Sequence, residues 1–177
     1  MKKLLSLLPI LLIISCSDGL KEISEYKLVE RNGITYEVNS NKPFTGVGIS
    51  EQTEYSNFSK NYYEEGKFIG WEEFHSNGNL YTKQFDSPLV FEMYSYDGQL
   101  EIKTLGDLHE VYHWNGQLKI RRIKDSWESY FDNGQLRDTG SCINEQKIGL
   151  WKTYNVNGDL VESKEYKNNE KQKCYFE

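Results

Sequence analysis

Three histidines could bind a metal ion or transfer a proton at neutral pH, and they stand at His75, His109 and His113. The spacing of four between His109 and His113 would place both rings on one side of a helix. In a strand, residues four apart are separated by about 13 Å, which is too far to share one ion. Because the surrounding residues follow the strand pattern described below, we expect solvated surface histidines and no metal site.

The remaining polar residues form no known catalytic pattern. The sequence contains no Gly-x-Ser-x-Gly motif, no glycine-rich phosphate loop and no Cys/His spacing typical of zinc ligands. Acidic residues such as Glu128 and Asp132 alternate with aromatic residues, as outward-facing residues of a strand do. We therefore predict a protein that is not an enzyme and that needs no cofactor.

One ten-residue phrase occurs five times, with the pattern aromatic-x-x-Tyr-x-x-Asn-Gly-x-Leu in its fullest form. Asn-Gly and Asp-Gly favour two-residue type I′ hairpin turns, because both central residues of such a turn have positive φ. Aromatic and β-prone residues flank each pair, so each phrase predicts a strand, a tight turn and a return strand. The structural turn glycines are Gly78, Gly98, Gly116, Gly134 and Gly158.

The spacing of these glycines, about 20 residues, indicates a repetitive array of hairpins, each too small to bury a face alone. We predict an all-β fold, a repetitive antiparallel β-hairpin array in the form of an elongated sheet or solenoid. At the opposite edge, Gly106-Asp107 and Lys124-Asp125 predict tight turns. Asp86-Ser87-Pro88 predicts a longer connection, and residues 144–149 predict the longest.

The aromatic residues of the repeat have two interpretations. Trp127 and Tyr130 are three apart, so either both faces of the sheet carry rings or a bulge lies between them. We expect equivalent rings of successive units to contact each other and hold the array together. Alternatively, some rings are exposed and stack on sugars or quaternary amines. The candidate binding aromatics are Trp71, Trp127, Trp151, Tyr130 and Tyr154.

The N-terminus reads as an export signal. Two lysines precede an apolar run over residues 4–14, which is too short to cross a bilayer. The run ends in Ile-Ile-Ser-Cys16, which resembles the lipobox of bacterial lipoproteins. The resemblance implies cleavage before Cys16 and acylation of that residue, and several acyl chains would hold the protein on a membrane. We predict a signal peptide over residues 1–15, a tether over 16–25 and the repeat domain over 26–177.

Two further cysteines, Cys142 and Cys174, would lie outside the cytoplasm, where disulfides are permitted. If the chain continued as a simple meander, they would stand three strands apart. At about 4.8 Å per strand that separation is roughly 14 Å, well beyond the distance that a disulfide can span. We therefore predict two free thiols.

The repeat phrase, the segment Gly66–Trp71 and Gly149-Leu150-Trp151 resemble the bacterial MORN-repeat-variant family, whose members are often labelled YwqK-family antitoxins. The segment Leu28–Gly46 is similar to the N-terminal block of many of them. The resemblance implies a MORN-like sheet of stacked hairpins and brings no catalytic residues. Phe91 to Lys124 depart from the family pattern, because they lack the Gly-Lys-x-x-Gly-x-Trp element.

The net charge of −6 opposes binding to nucleic acid, which we exclude as a partner. We expect a lipoprotein of the cell envelope, attached to the outer membrane if the cell is Gram-negative, that binds an unidentified protein partner. An antitoxin or immunity role is a special case, in which the acidic surface covers a basic toxin. The alternative is a module that binds glycan or cell wall through exposed aromatic residues.

Overall fold

The computed structural model describes residues 19–51, 58–167 and 172–174. The predicted signal peptide and the lipidation site Cys16 lie outside the described residues. The described residues form fifteen strands: β1 (Glu22–Ser24), β2 (Leu28–Arg31), β3 (Ile34–Glu37), β4 (Gly46–Ser50), β5 (Ser59–Glu64), β6 (Lys67–Phe74), β7 (Leu80–Asp86), β8 (Leu89–Tyr94), β9 (Leu100–Leu105), β10 (Leu108–Tyr112), β11 (Leu118–Ile123), β12 (Ser126–Tyr130), β13 (Leu136–Ile143), β14 (Gln146–Tyr154) and β15 (Leu160–Tyr166).

Thirteen of these strands form one long, unclosed sheet, which confirms the predicted repetitive β-hairpin array. From β4 to β15 the strands follow chain order and pair antiparallel. The sheet is mixed because β1 joins its first edge parallel to β4. Strands β2 and β3 form a separate hairpin. Since β1 begins at Glu22, part of the segment predicted to be a tether belongs to the sheet.

The five turn glycines lie where the repeat placed them, but their turns are not type I′. Each glycine has a φ between 81° and 89°, whereas the preceding Asn or Asp does not have positive φ. In the first turn His75 N donates to Asn79 O, and Gly78 N donates to His75 O. This is a three-residue loop, in which a type I turn is followed by glycine in the left-handed region. We call these loops the glycine turns, first to fifth along the chain.

At the edge opposite the glycine turns, the connections between strands are more uniform in length than predicted. Two-residue turns join β9 to β10 and β11 to β12, as expected. Ser87-Pro88 also forms a two-residue turn, because Asp86 pairs with Leu89. The segment 144–149 is not a long loop either: only Asn144 and Glu145 lie between β13 and β14. The extra residues lengthen those two strands instead of the connection.

Both faces of the sheet carry aromatic residues, which answers the question raised by Trp127 and Tyr130. The strand β12 has no extra residue between them; the bulge lies in the return strand, at Arg137. Alternation along the strand therefore sends the two rings to opposite faces. The first residues of the phrases define the leading-ring face: Trp71, Phe91, His109, Trp127 and Trp151. The residues three positions later define the tyrosine face: Phe74, Tyr94, Tyr112, Tyr130 and Tyr154.

The first end of the sheet is covered by the β2–β3 hairpin and the segment that follows it. Thr35 N donates to Gly66 O over 2.8 Å, and Gly66 N donates to Phe44 O over 2.7 Å. Phe44 and Val47 are buried there. These bonds attach the hairpin to the β5–β6 turn, so the sheet begins with a cap of its own.

The last end is closed by a disulfide between Cys142 and Cys174, so the prediction of free thiols was wrong. The chain does not continue as a meander after β15. Residues 172–174 lie instead against the start of β14, where Lys147 N donates to Gln172 O over 2.8 Å and Cys174 N donates to Glu145 O over 3.1 Å. This brings the two cysteine Cα atoms to 6.0 Å, within the reach of a disulfide.

A small core lies under this returning segment. It contains Trp127, Cys142, Trp151 and Cys174, with Ile120 and Tyr166 packed against it. Together with the cap at the first end, it leaves the middle of the array, β7–β11, without a covering segment among the described residues. Within the described ranges, the array is therefore capped at both ends and uncovered on both faces in between.

Candidate functional site

The tyrosine face carries a row of alternating charges across seven strands. Strand register places these residues side by side: Glu72, Lys83, Glu92, Lys103, Glu110, Arg121 and Glu128. Lys83 Nζ lies 2.7 Å from Glu92 Oε2, and Arg121 Nε lies 3.0 Å from Glu110 Oε1. Opposite charges directly across strands stabilise a sheet. This charge row therefore helps to hold the open middle together.

Tyrosines of the same face fix the glutamates of the charge row. Tyr130 Oη donates to Glu128 over 2.6 Å, and Tyr112 Oη donates to Glu110 over 2.9 Å. Burial, followed by the hydrogen bond to the carboxylate, raises the pKa of each of these two tyrosines to about 12. Glu128 is therefore not the free, outward-facing acid that the alternation predicted.

An apolar row runs beside the charge row, toward the edge opposite the glycine turns. Register aligns Phe85, Val90, Leu105, Leu108 and Ile123 on the tyrosine face. Leu105 is 45% exposed and Ile123 is 47% exposed. Exposed apolar residues scattered singly are ordinary, but a contiguous row beside polar side chains is typical of an interaction surface.

The leading-ring face does not present the tryptophans that the sequence singled out. Trp127 is 6% exposed and Trp151 is 3% exposed, so neither offers a free ring face. Trp71 lies on the same face and is half-buried, and Tyr130 and Tyr154 lie half-buried on the tyrosine face. Stacking on a ligand through the two buried tryptophans would require the C-terminal segment to move away.

Equivalent rings of successive units lie on alternate strands, so two strand spacings of about 4.8 Å separate their backbone positions. Between Trp127 and Trp151 the intervening strand contributes Gly140, which pairs with Trp127. Trp127 and Trp151 share the small core under the C-terminal segment.

A buried carboxylate, Asp138, joins three neighbouring strands on the leading-ring face. Its oxygens accept hydrogen bonds from Ser129 Oγ at 2.9 Å, Thr153 Oγ1 at 2.8 Å and Arg137 Nε at 2.9 Å. Burial alone would raise the pKa of Asp138, but the two hydroxyls and the guanidinium together lower it. With its oxygens satisfied in this way, Asp138 acts as a structural tie.

The histidines were expected to be solvated surface residues, but each has a protein partner. His75 Nε2 lies 3.1 Å from Tyr94 O, and His113 Nε2 lies 3.0 Å from Tyr130 O. A carbonyl only accepts, so Nε2 carries the proton in both. His109 Nδ1 lies 3.0 Å from Thr104 Oγ1, and burial together with Arg122 lowers the pKa of His109.

The glycine turns are tied to one another by asparagine side chains. Asn77 Nδ2 donates to Tyr96 O, and Asn115 Nδ2 donates to Asp132 O, each over 2.6 Å. Asn133 Nδ2 donates to Val156 O over 3.2 Å. Each amide thus reaches a carbonyl of the next glycine turn, and we call this series the asparagine ladder. The histidine bonds of the first and third turns run parallel to it.

The ladder is interrupted between the second and third glycine turns. Asp97 occupies the position that is asparagine in the other turns, and its side chain has no N–H to donate. Ser95 replaces the histidine, and its hydroxyl donates to Asp97 within the same turn. This hydroxyl lowers the pKa of Asp97. Only the Gln99 amide crosses this gap, to His113 O over 2.9 Å.

An open groove of about 540 Å³ lies at this interruption, and we call it the seam groove. Its lining includes Met93, Ile102 and Val111 as an apolar floor, with Asp97, Glu101, Tyr112 and Trp114 around it. Glu101 is the extra residue of the bulge in β9. Trp114, at a variable position of the repeat phrase, is 83% exposed.

The sequence interpretation missed Trp114 and the seam groove, because it followed the repeated positions. The signal was present in one turn, where Asp97 replaces the asparagine of the repeat and Ser95 stands at a position that is histidine in two other units. Beside the groove, Tyr96 is 58% exposed. Trp114 and Tyr96 thus present two exposed rings on the edge formed by the glycine turns, away from the capped ends.

Within residues 19–51, 58–167 and 172–174, no group of three or more His, Cys, Asp or Glu side chains is arranged to hold a metal ion. No helix in this part of the chain has the length and apolarity needed to cross a bilayer. A comparison of the chain with protein-family models and with curated proteins finds no match.

Proposed function

We propose that this protein is a membrane-anchored lipoprotein that binds a protein partner on its open β array. One observation carries the proposal: the middle of the sheet presents a contiguous apolar row, with Leu105 and Ile123 nearly half exposed, directly beside the charge row. Apolar area bordered by charged residues is the usual composition of a protein-binding surface.

The sheet itself suits this role. Arrays of small repeats form extended surfaces, and the capped ends leave β7–β11 accessible on both faces. The resemblance to the MORN-repeat-variant family and the lipobox ending in Cys16 support the same proposal. An immunity role, in which the partner is a basic toxin, is one form of it.

A photo-crosslinking experiment in cells tests this proposal at two neighbouring positions. Benzoyl-phenylalanine at Ile123 reports on the tyrosine face, and the same group at Arg122 reports on the leading-ring face, because consecutive residues of a strand point to opposite faces. Both residues are exposed. We expect one dominant protein crosslinked from Ile123 and not from Arg122, identified by mass spectrometry.

Equal labelling from both positions, or no protein adduct from Ile123, would remove the apolar row as the binding surface. A toxin-like partner would support the immunity form. A matched variant, Ile123→Ala without the crosslinker, should weaken capture by affinity purification, whereas Arg122→Ala should not.

A second function, binding of glycan or cell wall, is favoured by one different observation. Trp114 and Tyr96 are the exposed rings beside the seam groove, and polar side chains line that groove. Exposed aromatic rings next to polar groups can stack on a sugar. Recovery of cell-wall fragments in place of a crosslinked protein would favour this function.

A further inference from the structure

The seam groove combines features that none of the other glycine turns provides. The asparagine and histidine bonds that join the first turn to the second, and the third to the fourth, are missing here, because Ser95 and Asp97 bond within their own turn. The gap between the second and third turns is thus bridged by a single side-chain amide, that of Gln99. The opening follows from two residue changes in one repeat.

The side chains around the groove are acidic and aromatic. Asp97 and Glu101 contribute two carboxylates, and no lysine or arginine is among the lining residues. Glu101 forms no side-chain hydrogen bond or ion pair with the residues that the structure describes. The other units have Tyr81, Lys119, Arg137 and Val161 at the corresponding bulge position. Glu101 is therefore the one acidic residue among these five bulge positions.

His113 also lines the groove, and its Nε2 donates to Tyr130 O at the end of β12. The acidic side chains of Asp97 and Glu101 face no lysine or arginine among the lining residues, so the groove favours a cation. An anionic ligand would be repelled, and a neutral ligand would leave the Glu101 carboxylate without a partner.

We propose that the seam groove binds the side chain of a lysine that a protein partner presents. The apolar floor of Met93, Ile102 and Val111 suits the four-carbon stem of that side chain, which favours contact with apolar surface. The carboxylates of Asp97 and Glu101, which both line the groove, would pair with the ammonium. The exposed indole of Trp114 can cover it, since a cation is attracted to an aromatic face.

This inference rests on the proposed protein-binding function and adds the chemistry of one contact. The floor residues Met93, Ile102 and Val111 lie on the leading-ring face, whereas Tyr112, which also lines the groove, lies on the tyrosine face that carries the apolar row. A partner lying along that face could extend one lysine over the glycine-turn edge. The acidic net charge of the chain would steer such a basic partner toward it.

Titration of the full-length protein in detergent tests the proposal with defined probes. The peptide Gly-Lys-Gly-Lys-Gly should bind, as measured by tryptophan fluorescence and calorimetry, and its acetyl-lysine counterpart should bind at least tenfold more weakly. Trp114→Ala and Glu101→Gln should each lower the affinity for the lysine peptide by about tenfold. Glu162→Gln, which removes an exposed acid on β15, is the matched control and should leave the affinity unchanged.

Each alternative result overturns the inference. Equal binding of the acetylated peptide would show that charge is not recognised, and equal losses from Glu162→Gln would show only a diffuse acidic effect. Tighter binding of tetramethylammonium than of the peptide would assign the groove to a small organic cation. Binding of an N-acetylglucosamine trimer that depends on Trp114 but not on Glu101 would support the glycan function.

The crosslinking result and the titration can fail independently. If Ile123 still captures a protein while the lysine peptide does not bind, the groove inference falls and the scaffold function remains. If the peptide binds but Ile123 captures no protein, the partner does not use the apolar row.

Discussion

The indole of Trp151 lies directly over Gly140, the residue of the neighbouring strand that pairs with Trp127. A Cβ atom built at Gly140 would overlap the ring of Trp151. Tyr166 makes an edge contact with Trp151, with ring centroids 6.5 Å apart, and Trp151 Nε1 donates to Ser141 O over 3.1 Å. Glycine at position 140 therefore permits the core under the C-terminal segment to close.

Gly140→Ala should destabilise the protein by about 1–3 kcal/mol, because the added methyl group must displace a pinned ring. Thermal unfolding measures the effect. The control is Ser141→Ala at the next position, which is exposed and whose side chain is not used by Trp151. An unchanged melting temperature for Gly140→Ala would mean that the indole can move aside freely.

The disulfide predicts a large effect of reductant on stability. It closes a chain segment with a sequence separation of 32, and a loop of that length predicts roughly 3–4 kcal/mol of stabilisation from the restricted unfolded state. Dithiothreitol should lower the melting temperature of the wild type. It should not affect the Cys142→Ser/Cys174→Ser double variant. Two titratable thiols in the unreduced native protein at these positions would contradict the pairing.

The tyrosines of the charge row predict loss of stability at high pH. The pKa values of Tyr112 and Tyr130 are raised to about 12, above the value of about 10 for an unfolded tyrosine. A raised pKa means that the unfolded state loses the proton first. The stabilisation is therefore complete below about pH 10 and disappears as the pH rises through about 12.

Tyr130→Phe removes one of these ionising groups, so the decline in unfolding free energy between pH 10 and 12 should be shallower than in the wild type. Urea unfolding at a series of pH values measures it. Tyr26→Phe serves as the control, since Tyr26 is 74% exposed. Identical pH profiles for wild type and Tyr130→Phe would remove the link between Tyr130 and Glu128.

The asparagine ladder predicts opposite effects for two reciprocal substitutions. Asn115→Asp keeps the oxygen that accepts from Gln117 N but removes the amide that donates to Asp132 O. It should cost about 1 kcal/mol, the usual contribution of one hydrogen bond. Asp97→Asn supplies the missing amide between the second and third turns and should stabilise the protein by a similar amount. Chemical unfolding of both variants at neutral pH provides the measurement, and a loss of stability in Asp97→Asn would argue against the ladder.

Lipidation predicts that Cys16→Ala moves the protein from the membrane fraction to the soluble fraction, because the acyl chains would be absent. Cell fractionation followed by immunoblotting measures the distribution. Cys142→Ser is the matched control and should remain with the membrane. Continued membrane association of Cys16→Ala would contradict the lipobox interpretation.

The hairpins and their glycines could be predicted from sequence because both depend on local properties. Gly134, for example, has a backbone φ of 83°, which residues other than glycine rarely adopt. The turn type could not be predicted in the same way. Asn133 does not adopt a positive φ. Its side chain accepts a hydrogen bond from Gln135 N within the turn and donates one to Val156 O of the next unit. That second bond depends on a residue 23 positions away.

The disulfide and the seam groove were missed for related reasons. The estimate of 14 Å between Cys142 and Cys174 assumed that the chain continues as a meander, whereas residues 172–174 return to β14. The groove results from Ser95 and Asp97, whose significance depends on the third turn across the gap. The repeat phrase predicts the structure of each hairpin correctly, but it contains little information on the side-chain contacts between successive hairpins.

The strand count gives the array a length scale. At about 4.8 Å per strand, thirteen strands extend roughly 58 Å from β1 to β15. Cys16 is only six residues from β1, a reach of at most about 20 Å. Anchored through Cys16, the sheet would hold its open middle, β7–β11, roughly 19–38 Å from the first edge. Adding or removing one hairpin before β7 would shift that distance by about 10 Å, so under the proposed function the number of repeats would set the spacing between the membrane and the bound partner.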